Sequence, residues 1–92
     1  MNEKELLKET EEISRMLYQN KEQEAYQKIN QVLPEMNRIL QGFMGISDEM
    51  EKIILSVLTE FVEDFQIRDN LGLADLFGYT VPGIIMAIIE SE

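Results

Sequence analysis

The sequence predicts an all-α protein, a compact four-helix bundle built from two αα-hairpins, and three observations predict it. Apolar residues recur at alternating spacings of three and four along nearly the whole chain, which is the amphipathic helical period. The pauses between stripes are short, at Gln19-Asn20, Gly42 to Gly45 and Arg68-Asp69-Asn70, as antiparallel neighbours require. A shift of 48 residues also lays the first half on the second. Leu6 then falls on Ile54, Ile13 on Phe61, Leu17 on Phe65, Leu33 on Val81 and Pro34 on Pro82. Identities are few, and duplication stays open beside simple likeness of two helix pairs. At 92 residues the chain is one domain, with residues 1–46 as the first hairpin and 47–92 as the second.

In the first helix, Leu6, Thr10, Ile13 and Leu17 form the stripe and Leu7 and Met16 widen it, giving a span from about Glu3 to Gln19. The second stripe is Tyr26, Ile29, Leu33, Met36, Leu40 and Phe43, and it runs straight through Pro34. Proline inside a helix costs roughly 3 kcal/mol through a lost hydrogen bond and a clash with the preceding turn. Either the helix kinks there, or it breaks and restarts with Pro34 in its first turn; the unbroken stripe favours the kink. Ser47, followed by Asp48 and Glu49, reads as an N-cap with acids in the first turn. Met50, Ile54, Val57, Phe61 and Phe65 carry the third helix to about Gln66, and Ile53, Leu55, Leu58 and Val62 make its apolar arc unusually wide.

Asn70 or Asp69 caps the last element. Gly72, Gly78, Pro82 and Gly83 oppose a helix there, and the β-branched run near the end competes as a strand. Ala74, Phe77, Val81, Ile84 and Ile88 keep helical spacing, and no other segment offers a strand to pair with. Helix is therefore expected, bent or broken at Pro82.

Composition bounds function more by exclusion. With no cysteine and no histidine, thiolate sites, thiol nucleophiles and imidazole bases are impossible. The acidic pairs Glu11-Glu12 and Glu63-Asp64 read as solvated faces, because consecutive residues diverge on a helix. Gly-rich segments lack the lysine and strand–helix context of a phosphate cradle. No cofactor, no metal, no small-molecule substrate and no enzymatic activity are expected. The net charge of -10 opposes binding to nucleic acid or to an anionic membrane surface. The charge is also uneven: residues 1–46 carry a net -2 and residues 47–92 a net -8, with Lys52 and Arg68 the only bases of the second half. The charged N-terminal stretch is no secretory signal, so a cytoplasmic location is expected.

The acidic half is also the apolar half. From Leu71 to Ile89 the only charge is Asp75. The uncharged run Leu76 to Ile89 is short of the roughly 20 residues that span a bilayer, so no membrane span is expected. On a regular helical wheel Leu71, Leu76, Tyr79, Met86 and Ile89 leave the core arc, and Leu55 and Val62 on the third helix add to them. These seven are the candidate partner-binding residues, for a helical protein partner or, alternatively, for a second copy in a homodimer.

The segment Ile67 to Tyr79, continuing to Val81-Pro82, resembles a pattern found in small acidic all-helical proteins of Firmicutes, several uncharacterised and some encoded near flagellar genes. Leu73-Ala74-Asp75, Tyr79 and Pro82 carry that resemblance, while Gly72 and Gly78 sit where the pattern usually has larger residues. More loosely, the chain is similar to flagellar and type III export chaperones. That similarity implies a protein that holds an aggregation-prone helical partner against an apolar surface.

Overall fold

Short polar side chains cap three of the helix starts, and tight left-handed turns stop two helices. In the computed structural model, which describes residues 1–91, helix α1 spans Glu3–Tyr18, α2 Glu22–Gln41 and α3 Asp48–Gln66. Helix α4 (Asn70–Asp75), a π-helical turn (Leu76–Thr80) and α5 (Val81–Ser91) follow one another without a break and make one long terminal helix. No strand occurs among the described residues. The Asn2 side chain accepts from the Glu5 amide at 2.8 Å, Ser47 Oγ from Met50 at 3.1 Å, and Asp69 Oδ1 from Gly72 at 3.0 Å. Each cap satisfies an amide that a helix start leaves without a partner.

Helices α1 and α3 end in the same way. Asn20 (φ 59°) and Arg68 (φ 54°) adopt the left-handed conformation. The next amide reaches back five residues, Lys21 to the Met16 carbonyl at 2.9 Å and Asp69 to the Asp64 carbonyl at 2.8 Å. Both turns are Schellman motifs without glycine, and they lie 48 residues apart.

The prolines are handled differently. Helix α2 is continuous through Pro34, so it does not break there. Pro34 has no amide for the Asn30 carbonyl, but Asn30 is exposed and water can take that place. Pro82 sits in the first turn of α5, directly after the π turn, in which the Val81 amide bonds the Leu76 carbonyl five residues back. The wider turn carries the backbone past the proline ring instead of breaking the helix.

That turn also corrects the helical wheel. A π turn takes more residues per turn than the 3.6 of an α-helix, so it rotates α5 back by roughly a quarter turn relative to α4. One continuous inner arc then holds Leu73, Ala74, Leu76, Phe77, Val81, Ile84, Ile85 and Ile88, all buried. Leu76, expected on the surface, is 1% exposed and belongs to the core. Ile89, also expected outside, is partly buried against the core.

Helix α1 packs on α2 and along the whole terminal helix, and α3 packs on α4 and the π turn. The α1 crossing is close because its contact residues are small. Ser14 is buried and its hydroxyl donates to the Ala74 carbonyl at 2.8 Å. A Cβ on Gly78 would lie 2.6 Å from Ser14 Oγ, so any larger residue there would have to displace that hydroxyl. Between α2 and α3 close approaches are sparse. There Tyr26 meets Phe65 edge-on at 5.2 Å, and its hydroxyl donates to Asn70 Oδ1 at 2.7 Å. In the 48-residue register the bulkier Tyr26 and Asn30 take the places of Ala74 and Gly78.

Candidate functional site

Two exposed apolar surfaces result, one on α3 and one on the terminal helix. Helix α3 turns Phe61 onto Phe77 at 5.8 Å and Phe65 onto Tyr26 of α2. Asp64 faces α4, its Oδ2 close to Gly72. Leu58 and Val62 precede Phe65 by seven and three residues and so lie on the α2 side, with Leu55 one turn earlier. Leu55 and Val62 are exposed and Leu58 half-buried. Together with Thr59 and Glu63 they line a shallow, mainly apolar depression.

The terminal helix presents the second surface. After the rotation at the π turn, Leu71, Asp75, Tyr79, Gly83 and Met86 share one outer stripe, and all are exposed. Leu71 and Tyr79, at 70% and 73% exposure, stand almost free. Nothing lies within 4 Å of where a Cβ on Gly83 would be. The one charge in the stripe, Asp75, accepts a hydrogen bond from the Tyr18 hydroxyl at 2.5 Å. That bond, aided by desolvation, pushes the Tyr18 phenol up to about 12 and ties the end of α1 to this face.

Of the seven residues the sequence singled out, Leu55 and Val62 stand on α3 and Leu71, Tyr79 and Met86 on the terminal helix. Leu76 lies in the core, and Ile89 is only partly exposed. Leu58 and Tyr18 were missed as site residues. The spacing Leu55–Leu58–Val62 (i, i+3, i+7) carried the first in the sequence, whereas Tyr18 is placed by a contact 57 residues away.

Electrostatics separate the two halves. Four of the eight acids of α1 and α2 are in ion pairs: Lys28 Nζ lies 2.7 Å from Glu9 and 2.9 Å from Glu12, Arg38 lies 2.9 Å from Glu35, and Glu22 pairs with Arg68. The hydrogen bond from Lys28 holds Glu12 below the usual carboxylate range, and that from Arg38 does the same for Glu35. Arg68 bridges to Glu22 at 2.8 Å and lies 5.0 Å over the Tyr26 ring. Among the described residues no carboxylate of α3 takes part in an ion pair. Its six acids face a single base, Lys52.

No group of three or more acidic, histidine or cysteine side chains able to hold a metal occurs among the described residues. From Asn70 to Glu90 the terminal helix is, by length and composition alone, long and apolar enough to cross a membrane, with a mean hydropathy of 1.7 in its best window. The run is longer than the sequence suggested because helix continues on both sides of Asp75. Its inner arc is filled by the other helices, which a core helix of a helical bundle also requires.

Fold and surface together define a small helical bundle with two apolar faces set in its acidic half. Compared with known protein families, with curated proteins and with solved structures, the chain has no match.

Proposed function

We propose that the chain is a non-enzymatic, cytoplasmic protein-binding module, in the manner of an export chaperone, that holds a helix of a partner protein on the outer stripe of its terminal helix. One observation carries this reading: of the ten large apolar side chains exposed among the described residues, seven lie in the acidic second half, whereas α2 exposes none. Affinity would come from burying Leu71, Tyr79 and Met86, each worth about 1.5–3 kcal/mol when fully covered. The acidic surround would keep the unoccupied face soluble. The two αα-hairpins, 1–46 and 47–92, would act as one frame that holds this stripe straight.

A homodimer is the second reading, and Gly83 favours it. Glycine lowers helix stability by about 1 kcal/mol, and here nothing in the chain's own packing needs it. A bare spot between Tyr79 and Met86 is suited to the close crossing of another helix, including the twin of this one.

A photo-crosslinking side chain at Tyr79 or Met86, introduced in cells, tests both readings. Adducts to a different protein support the partner reading. An adduct of twice the 10.7 kDa chain mass replaces it with the homodimer. No adduct at either position, with adducts equally absent at the solvent-facing Glu11, overturns both.

A further inference from the structure

The face of α3 beside α2 is the counterpart of a helix-docking surface already used within the fold. In the 48-residue register Leu55, Leu58 and Val62 stand where Leu7, Thr10 and Ser14 stand on α1. Thr10 and Ser14 are buried, and Ser14 bonds the terminal helix directly. On α3 the positions of Thr10 and Ser14 hold the larger, apolar Leu58 and Val62, and α2 approaches α3 at few points, with Tyr26 set against Phe65. One face of the pair is covered by a helix and the other is open.

Charge says which helix would fit. Glu51 lies one turn before Leu55, and Glu63 lines the depression itself. Glu60, Glu63 and Asp64 crowd the last two turns of α3, where the negative end of the helix disfavours acids, and the last turn has no basic residue. No side chain of the described chain pairs with these acids. A second copy would bring the same unpaired acids face to face.

We infer that this face docks a basic amphipathic helix of a partner protein, with its apolar side over Leu55, Leu58 and Val62 and its lysines or arginines at Glu51 and Glu63. This rests on the binding reading above but uses a different face, so the two fail separately.

The probe is a helical peptide of about 18 residues, five turns, with leucines along one face and lysines elsewhere, titrated into the full chain by calorimetry. Its control carries glutamate in place of lysine. The lysine peptide is expected to bind and the glutamate peptide not. Leu55→Gln with Val62→Gln should weaken binding by about tenfold or more. Thr59→Arg, a change at an exposed position that leaves the core untouched, should weaken it as well. Glu51→Gln with Glu63→Gln should reduce the loss of affinity with salt, while Gln31→Ala, at an exposed position of α2, should change nothing. Circular dichroism establishes that each variant is folded.

Three results would overturn the inference: equal binding of the glutamate peptide, binding indifferent to both Leu55/Val62 and Thr59 changes, or no binding. A dimer of the free chain that Val62→Gln dissolves would overturn it too, by assigning the face to a second copy. Crosslinks at Tyr79 or Met86 would stand whichever way this titration fell.

Discussion

Asn20 and Arg68 hold a backbone conformation that costs an ordinary L-residue about 1–2 kcal/mol, less for asparagine, whose short polar side chain tolerates it. Neither could be read from the sequence as left-handed, because the residue that usually announces such a turn is glycine. The cap at Ser47 was legible, and that at Asp69 was one of two candidates beside Asn70, since such side chains act locally on the amide three residues on. The two turns differ in what surrounds them, and the difference is testable. Asn20→Gly should stabilise the protein by about 0.5 kcal/mol, a rise of roughly 3 °C in Tm by thermal melting. Arg68→Gly should show no such gain, because the ion pair to Glu22 and the contact with the Tyr26 ring are lost with the side chain. Asp64 is the other residue under strain. Its Oδ2 is buried without a hydrogen-bond partner, and desolvation, followed by the charges of Asp69 and Glu63, raises its carboxyl above the usual range. A raised carboxyl favours the protonated form in the folded state, so this group destabilises the fold above its folded pKa and is relieved as pH falls. Glu12 and Glu35 work in the opposite sense: their stabilisation is present above the usual range and lost as pH falls through their lowered values. Asp64→Asn should therefore raise Tm at neutral pH by a few degrees, about 1 kcal/mol for one unsatisfied buried group. That advantage should shrink as the scan moves into acid, and an advantage constant with pH would assign the gain to packing instead.

At the scale of elements, the terminal helix departs furthest from what its sequence suggests. Its helical character was legible from Ala74, Phe77, Val81, Ile84 and Ile88, all of which are buried. Its π turn was not, because periodicity only averages over such an insertion, and the regular wheel therefore put Leu76 outside. Pro82 was read as a bend or a break; the turn before it lets the chain pass as helix. The same stretch fixes how closely α1 can lie, and there the pair Ser14 and Gly78 sets the distance. Gly78→Ala would place a Cβ 2.6 Å from Ser14 Oγ and push that hydroxyl off the Ala74 carbonyl. The expected cost is about 1–3 kcal/mol, from overpacking and the lost hydrogen bond. The gain in helix propensity, at most about 1 kcal/mol, offsets only part of it. Ser14→Ala alone should cost about 1 kcal/mol. Together they should cost less than the sum, because removing the hydroxyl makes room for the new methyl. A denaturation cycle on the four proteins measures this coupling, and strict additivity would mean that the helices separate rather than hold Ser14 against Gly78.

For the whole molecule, the imbalance between halves was legible before any coordinates, because charge and apolar content are counts. What could not be read was that the surplus apolar residues divide between two faces. The division follows from two tertiary facts: α2 makes few close approaches to α3, with Tyr26 against Phe65, and the π turn brings Leu71, Tyr79, Gly83 and Met86 onto one stripe. Self-association through either face and binding of a cationic helix respond to salt with opposite signs. Two copies of a chain with a net charge of -10 repel, so screening strengthens their association. A basic partner is attracted by the same charge, so screening weakens its binding. Light scattering across a dilution series, at low salt and at about 0.5 M where the Debye length falls to roughly 4 Å, separates the two. If the exposed faces serve a foreign helix, the free chain should hold the mass of one copy in both salts. A mass that climbs toward two copies as salt rises, and returns to one with Met86→Asp or Tyr79→Asp while helicity is retained, would make the terminal helix the seam of a homodimer.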